Sequence, residues 1–140
     1  MGIDTVITGD IAEVGGSPNW IRERSRPVGM KVLTPLWGRD RLALLEQLRA
    51  AGFKVVFSCV HTRWLSAEWV GRELDDAAII GLRTLREQNG LDLCGEEGEY
   101  HTLVTDGPGF KQRIQIGSHA KCSRDALVHL DIHALKLALQ

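Results

Sequence analysis

Residues 39–60 read RDRLALLEQLRAAGFKVVFSCV, and this stretch decides the fold. Its first half repeats leucine at helical spacing, at Leu42, Leu45 and Leu48. That spacing predicts a helix over residues 39–51, and Gly52 follows where a helix commonly ends. Residues 53–60 are nearly all apolar, which is typical of a strand buried on both faces in a parallel sheet. Helix, glycine and buried strand in this order predict an α/β fold.

The flanking sequence divides the chain into two parts. Apolar patterning and turn residues predict helices at 18–26 and 75–88 and strands at 3–8, 32–33, 100–105 and 127–133. Residues 1–61 therefore resemble part of a parallel α/β domain. Residues 62–140 resemble a small α+β subdomain.

The bulk composition is that of an ordinary soluble protein. The 140 residues are 44% hydrophobic and 25% charged, with a formal net charge of -1. This balance excludes a basic nucleic-acid footprint. No apolar run reaches the roughly 20 residues of a membrane span, and no secretory pattern opens the chain. Three cysteines without a CxxC pair predict reduced thiols in a cytoplasm rather than disulfides or a zinc knuckle.

The most unusual segment is CGEEGEYHT at residues 94–102. Glu96, Glu97 and Glu99 place three carboxylates within four positions. In a pocket this repulsion raises at least one pKa unless a cation lies among the carboxylates. The flanking glycines allow the backbone to approach a ligand closely. The pattern predicts either a site for a cationic or amine-bearing ligand or a solvated acidic turn.

Two further acidic positions are candidates. Gly9 and Asp10 follow the first predicted strand, and ligands of open parallel sheets bind at the C-terminal ends of strands. Asp10 is thus a candidate site residue, or else a helix-capping or turn residue. Asp106 opens the DGPG sequence at 106–109, which alone predicts a plain turn.

Other chemical signatures are weaker. His129, Asp131 and His133 fall on one face of a predicted strand, which suggests a metal site or, as we expect, the solvated face of a sheet. We predict no metal. The sequence contains no GxxxxGK[ST] or SGGxDS phosphate loop and no GxSxG elbow.

Six segments stand in a specific order: GDI at 9–11, PLWG at 35–38, GFK at 52–54, GRELD at 71–75, GEEGEYHT at 95–102, and DGP at 106–108 with FK at 110–111. In this order they resemble the diphthine–ammonia ligase family and its bacterial relatives among the PP-loop ATP pyrophosphatases. The resemblance runs from the first residues to about residue 116. Each segment alone is weak, whereas the ordered set is very specific.

The resemblance implies an ATP-dependent ligase. In that family ATP, with Mg, adenylates the carboxylate of diphthine, a modified histidine of translation elongation factor 2. Ammonia then displaces AMP and gives diphthamide. By the same resemblance, residues 1–61 are the C-terminal part of a Rossmann-like (HUP-type) nucleotide-binding domain that places Gly9 and Asp10 at the nucleotide. Residues 62–140 are the substrate-binding subdomain, with the site residues Glu96, Glu97, Glu99, His101 and Asp106.

Diphthine carries a trimethylammonium group, which acidic side chains and aromatic faces attract. We therefore hypothesise that Glu96 and Glu99 hold a cationic part of the substrate together with Trp64 or Trp69. The family usually has a small residue where this chain has Glu97. Bacteria are not expected to make diphthamide, so a bacterial relative would act on another protein-borne or small-molecule carboxylate.

The chain also departs from the family at its start, where the resemblance places a later strand and not the SGGKDS loop. We expect weak or no ATP binding and no adenylation by this chain alone. The alternatives are a truncated, non-catalytic binding module and one half of a split enzyme that assembles with a loop-bearing partner chain. An incomplete sheet would also favour self-association into a homo-oligomer.

Overall fold

The computed structural model describes residues 2–139, and the chain divides into two compact units, Met1–Asp40 and Arg41–Gln140. In the first unit, β1 (Thr5–Ile7) and β2 (Lys31–Leu33) pair in parallel. Helix α1 (Trp20–Ser25) lies between them in sequence and continues into a 3-10 turn at Arg26–Val28.

The second unit combines two helices with six strands. The helices are α2 (Arg41–Ala50) and α3 (Asp76–Asn89), and a 3-10 turn lies at Ala67–Trp69. The strands are β3 (Lys54–His61), β4 (Tyr100–Asp106), β5 (Arg113–Ile116), β6 (His119–Arg124), β7 (Leu127–Ile132) and β8 (Leu135–Ala138). Four strands form a sheet in the order β4-β3-β7-β6, and β5 pairs with β8. Among residues 2–139, no helix combines the length and apolar character that crossing a membrane requires.

The core of the second unit lies between α3 and β3. Helix α3 begins where the Asp75 carboxylate accepts the Ala78 N–H at 2.7 Å, and it ends at Gly90 in the left-handed conformation. It buries Leu82 completely, and β3 buries Phe57 completely. The Phe57 ring meets the ring of Tyr100 edge to face at 4.9 Å between centroids. These contacts join the helix, β3 and β4 in one hydrophobic cluster.

The expected Rossmann-like parallel sheet is not what the structure shows. Strand β3, predicted over residues 53–60, forms where expected, but it pairs antiparallel with both β4 and β7. Among the described strands, the parallel pairing is the two-stranded one between β1 and β2. An apolar run reports that a strand is central and buried. It carries no information on the direction of neighbours that lie some forty residues or more further along the chain.

The compact units of the structure separate between Asp40 and Arg41, and β3 supplies the strand to which β4 and β7 pair. The functional division at residues 61 and 62 stays a prediction. The chain is a mixed α/β protein with small sheets and three α-helices among its described residues.

We predict that Leu82→Ala lowers the free energy of unfolding of the second unit by about 2–5 kcal/mol, because it leaves a cavity at a fully buried position. Ile80→Ala is the matched control on the same helix, since Ile80 is 62% exposed. It should change the stability by no more than about 0.5 kcal/mol. Urea unfolding followed by circular dichroism measures both. Equal losses in the two variants would contradict the described core.

Candidate functional site

The acidic loop, residues 90–99, connects α3 to β4 and is anchored by two leucines. Leu91 is 1% exposed and Leu93 is 2% exposed, so both side chains lie in the core. Asn89 supports the start of the loop, since its side-chain oxygen accepts the Leu91 N–H at 3.1 Å and its amide nitrogen donates to the Trp64 carbonyl at 3.2 Å. The loop is therefore a packed part of the domain.

Glu99 lies inside this loop with its carboxylate buried, at 2% exposure. One carboxylate oxygen accepts the Asp92 N–H and the other accepts the Glu97 N–H, each at 3.0 Å. Its backbone carbonyl accepts the His61 N–H at 2.9 Å. Such charge-assisted hydrogen bonds are what a buried carboxylate requires. Glu99 thus braces the loop from within, with both oxygens engaged by its backbone.

Gly95 and Tyr100 pack too closely for any other residue at position 95. Gly95 has φ +71°, and a Cβ there would lie 2.9 Å from the Tyr100 carbonyl oxygen and 3.2 Å from its ring. The Tyr100 hydroxyl donates to the Leu93 carbonyl. Burial foremost, and then the neighbouring Cys94 and Asp92, raise the pKa of Tyr100, so the phenol remains a donor.

Asp92 connects the loop to the start of α2 by an ion pair with Arg41. Its other carboxylate oxygen accepts the Cys94 N–H at 2.8 Å. Burial acts to lower the pKa of Arg41, but the hydrogen bond and charge of Asp92, followed by the charges of Cys94 and Glu96, outweigh it and raise that pKa. The residue pattern gave no indication of this pair, because its members lie 51 positions apart.

The remaining predicted residues of this group differ in exposure. Glu96 is half-buried, whereas Glu97 and His101 are exposed. His101 lies on β4 opposite Cys59 of β3. Asp106 ends the same strand, five residues beyond His101, which corresponds to roughly 17 Å. The structure therefore brings Glu96, Glu97 and His101 to one end of β4 and places Asp106 at the other.

The tryptophans that we expected beside a cationic substrate already have cations of their own. The Arg63 guanidinium lies 4.7 Å from the ring centroid of Trp64, and that of Arg72 lies 4.6 Å from that of Trp69. Trp69 also packs against Gly81, where a Cβ would come within 2.9 Å of the ring. Both rings therefore pack within the domain, and the carboxylates are the better candidates for a substrate cation.

Asp106 belongs to a cleft of about 290 Å³. Its carboxylate accepts the Gly107 N–H at 2.8 Å, and Gly107 lies against Phe53 so closely that a Cβ would come within 2.4 Å of that ring. The turn is consequently fixed in position. Four charged residues share the cleft lining: Lys54, Glu73, Asp106 and Arg113.

Asp10 lies in the first unit beside a separate cavity of about 320 Å³. The side chains of Asn19 and Thr8 donate to the same carboxylate oxygen at 2.8 and 2.7 Å. The Asn19 hydrogen bond first, then that of Thr8 and the charge of Arg22, hold the pKa of Asp10 below its ordinary value against the effect of burial. Gly9 is exposed at the strand end.

His129 lies on β7 between the buried Val128 and Leu130, and His133 follows the end of that strand. His129 lies opposite Cys59 on one side and Cys122 on the other. The ring of His133 lies 3.2 Å from the Asp131 carboxylate. Within residues 2–139, no group of three or more histidine, cysteine, aspartate or glutamate side chains is arranged to hold a metal ion.

The fold and the loop together define a mixed α/β domain built around an internally braced acidic segment. Residues 40–137 match the family model of the diphthamide synthase C-terminal domain. This range covers nearly all of the second compact unit and contains both the acidic loop and the Asp106 turn. The chain belongs to the diphthamide synthase C-terminal domain family.

Curated relatives carry the name diphthine–ammonia ligase. The chain is 37% identical over 87 residues to that of Schizosaccharomyces pombe, which covers 62% of the chain and 14% of the relative. It is 31% identical over 103 residues to that of Danio rerio, covering 73% of the chain and 38% of the relative. It is 28% identical over 112 residues to that of Mus musculus, covering 79% of the chain and 42% of the relative. The chain thus spans less than half the length of these relatives.

We predict that Glu99→Gln lowers the free energy of unfolding by about 1–3 kcal/mol. A glutamine has one acceptor oxygen, and its NH2 group would face an amide donor of Asp92 or Glu97 that then lacks a partner. Glu87→Gln on the exposed side of α3 is the control and should leave stability unchanged. Urea unfolding measures both, and an unaffected Glu99→Gln variant would refute the bracing role.

For Asp10 we predict a carboxyl pKa below the ordinary 3.8, measured by NMR titration. A lowered folded-state pKa contributes stability above the unfolded value, and that contribution is lost as the pH falls through the folded pKa. The first unit should therefore lose stability only at acid pH. In Asp10→Asn that acid-dependent contribution should be absent. A titration midpoint at or above the ordinary value would contradict the hydrogen bonds from Asn19 and Thr8.

Proposed function

We propose that the chain is part of an ATP-dependent ligase that converts a carboxylate into an amide through an acyl-adenylate and ammonia. Diphthine is the substrate that the relatives' name indicates. Membership of the diphthamide synthase C-terminal domain family supports this proposal. The observation that carries it for this chain is the acidic loop, which Glu99 braces through the Asp92 and Glu97 amides.

In this proposal the loop recognises the cationic group of the substrate. Glu97, which is exposed, and Glu96, which is half-buried within the electrostatic reach of Arg41, supply the negative charge of the loop, and His101 follows them on β4. Glu99 makes no substrate contact and instead keeps the loop in one shape, so that little ordering is required on binding. Asp106 lies too far along β4 to touch the same cation.

The reaction proceeds by two displacements. An oxygen of the substrate carboxylate attacks the α-phosphorus of ATP, and pyrophosphate leaves. The nitrogen of ammonia then attacks the acyl carbon, loses a proton, and AMP leaves with the electron pair of the broken C–O bond. The chain's residues contribute by binding the substrate and thereby orienting its carboxylate. This raises the effective concentration of the carboxylate at the nucleotide. We assign no catalytic residue.

The cavity beside Asp10 fits part of a nucleotide. Its carboxylate is suited to accept hydrogen bonds from ribose hydroxyls. Among the described residues that line this cavity, none is basic, so it does not fit the phosphates. We therefore propose that Gly9 and Asp10 face the nucleoside. The phosphates would need a phosphate loop from other sequence, because the 140 residues contain no such motif.

The chemistry would take place in the cytoplasm, where the proposed protein substrate functions in translation. A full-length ligase that carries this domain provides the test. With labelled ammonium as the nitrogen donor, carboxamide formation and AMP release are measured together. Glu96→Gln should lower kcat/KM for the carboxylate substrate by about tenfold, the effect of losing roughly 1.4 kcal/mol of binding. The KM for ATP should stay unchanged.

Glu87→Gln is the matched control, because it removes an exposed carboxylate of the same domain away from the loop. It should leave both kinetic constants unchanged. A loss of ATP affinity in Glu96→Gln would refute the assignment of the loop to the substrate. Substrate binding without AMP release in the unaltered protein would instead favour a non-catalytic binding module.

A further inference from the structure

The second unit contains a two-part cleft to which the proposed function assigns no role. The charged part, of about 290 Å³, is the one that contains Asp106. A second part of about 250 Å³ has the apolar Val56, Ile116 and Leu130 in its lining, together with His119. Thr105 and Ile114 line both parts, so the two adjoin.

The charged part carries equal numbers of cations and anions. Lys54 and Glu73 form an ion pair at 2.9 Å across it, and Asp106 and Arg113 complete the set. Among the described residues, Arg113 has no carboxylate within ion-pairing distance. Because Lys54 and Glu73 neutralise each other, Arg113 and Asp106 provide one further charge of each sign, and these two charges are complementary to a ligand that carries both signs. A simple anion or a simple cation would meet repulsion from half of the lining.

The apolar part of the cleft favours a ligand that also has an aliphatic side chain. Leu130 and Thr105 are nearly buried, and Gly71 has φ +83° and approaches the Leu130 side chain, where a Cβ would lie at 3.6 Å. Burying an aliphatic side chain in this part is favourable because it removes apolar surface from water. The charged part beside it then receives the polar head of the same molecule.

From these features we infer that the cleft binds a free α-amino acid with an aliphatic side chain. Arg113 faces the carboxylate and Asp106 faces the ammonium group, beside the Lys54–Glu73 ion pair, and the side chain enters the apolar part. A planar guanidinium favours bidentate contact with a carboxylate, which makes Arg113 the principal anchor. This site is separate from the acidic loop at the other end of β4, and it does not depend on the proposed ligase activity.

The cleft is held in shape before any ligand arrives. Asp106 accepts the Gly107 N–H, and Gly107 packs against Phe53. The Thr105 hydroxyl donates to the Lys54 carbonyl at 3.2 Å and links β4 to β3. A cleft formed in advance requires little ordering on binding, which favours small ligands.

NMR titration of the whole chain with L-leucine, without ATP, tests the inference. We expect saturable shifts of the backbone amides at residues 54, 105–107 and 113–116. Isoamylamine lacks the carboxylate and 4-methylpentanoate lacks the ammonium group, so each should bind at least about fivefold more weakly than leucine. Chemical-shift changes spread over the whole chain would overturn the proposal. Equal affinities for leucine, isoamylamine and 4-methylpentanoate would also overturn it.

Two substitutions test whether Arg113 and Asp106 bind the charged groups of leucine. Arg113→Ala removes the carboxylate anchor. Asp106→Asn keeps an oxygen for the Gly107 N–H but loses the charge. Each should weaken leucine binding by at least about fivefold. The controls Arg83→Ala and Glu87→Gln alter exposed residues of α3 and should leave binding unchanged.

The chemical shifts of amides far from the cleft verify that each variant is folded. Equal effects of Arg113→Ala and Arg83→Ala would overturn the assignment. Failure of leucine binding would leave the amidation assay unaffected, because that assay probes the acidic loop with a different substrate. The two proposals can therefore fail separately.

Discussion

The shape of the acidic loop depends on one buried carboxylate. Glu99 accepts N–H groups from Asp92 and from Glu97, on both sides of the bend, while its own carbonyl receives the His61 N–H at the end of β3. Removing a carboxylate from water is costly unless both oxygens find donors, and here the loop backbone provides them. Because Asp92 is also paired with Arg41, the same bonds connect the loop to α2. A segment whose charges would repel one another therefore has a defined conformation.

Local patterns predicted the elements of this fold but not how its strands pair. The leucine spacing and the caps of α3 are interactions within a few residues, and both helices form where expected. Strand β3 was also expected, but its antiparallel partners β4 and β7 come from much later in the chain. Neither β6 nor β8 was predicted. The first, HAKCSR, has no apolar alternation, and the second, LKLA, has only four residues. Such strands are defined by their partners and not by their own sequence.

For the candidate site, too, the sequence predicted the segment but not the contacts of its side chains. Three neighbouring glutamates and two glycines mark the acidic loop in the sequence, but they do not reveal that Glu99 is turned inward while Glu97 is exposed. Glu99 is turned inward where the Asp92 and Glu97 N–H groups converge on its carboxylate. The Arg41–Asp92 pair and the charged lining around Asp106 join residues that are distant in sequence, so no local pattern could indicate them. Whether a side chain supports the loop or is available to a ligand is decided by its long-range contacts and not by its residue type.

Hydrogen exchange at the backbone amides of Asp92 and Glu97 tests the central claim most directly. Glu97 is exposed in a glycine-rich loop, and without the Glu99 carboxylate its amide would exchange as freely as that of an unstructured peptide. With both amides bonded to Glu99, we expect each to be protected by at least about tenfold at neutral pH. Free exchange at both amides would contradict the account, since the loop would then lack the internal brace from which its proposed role follows.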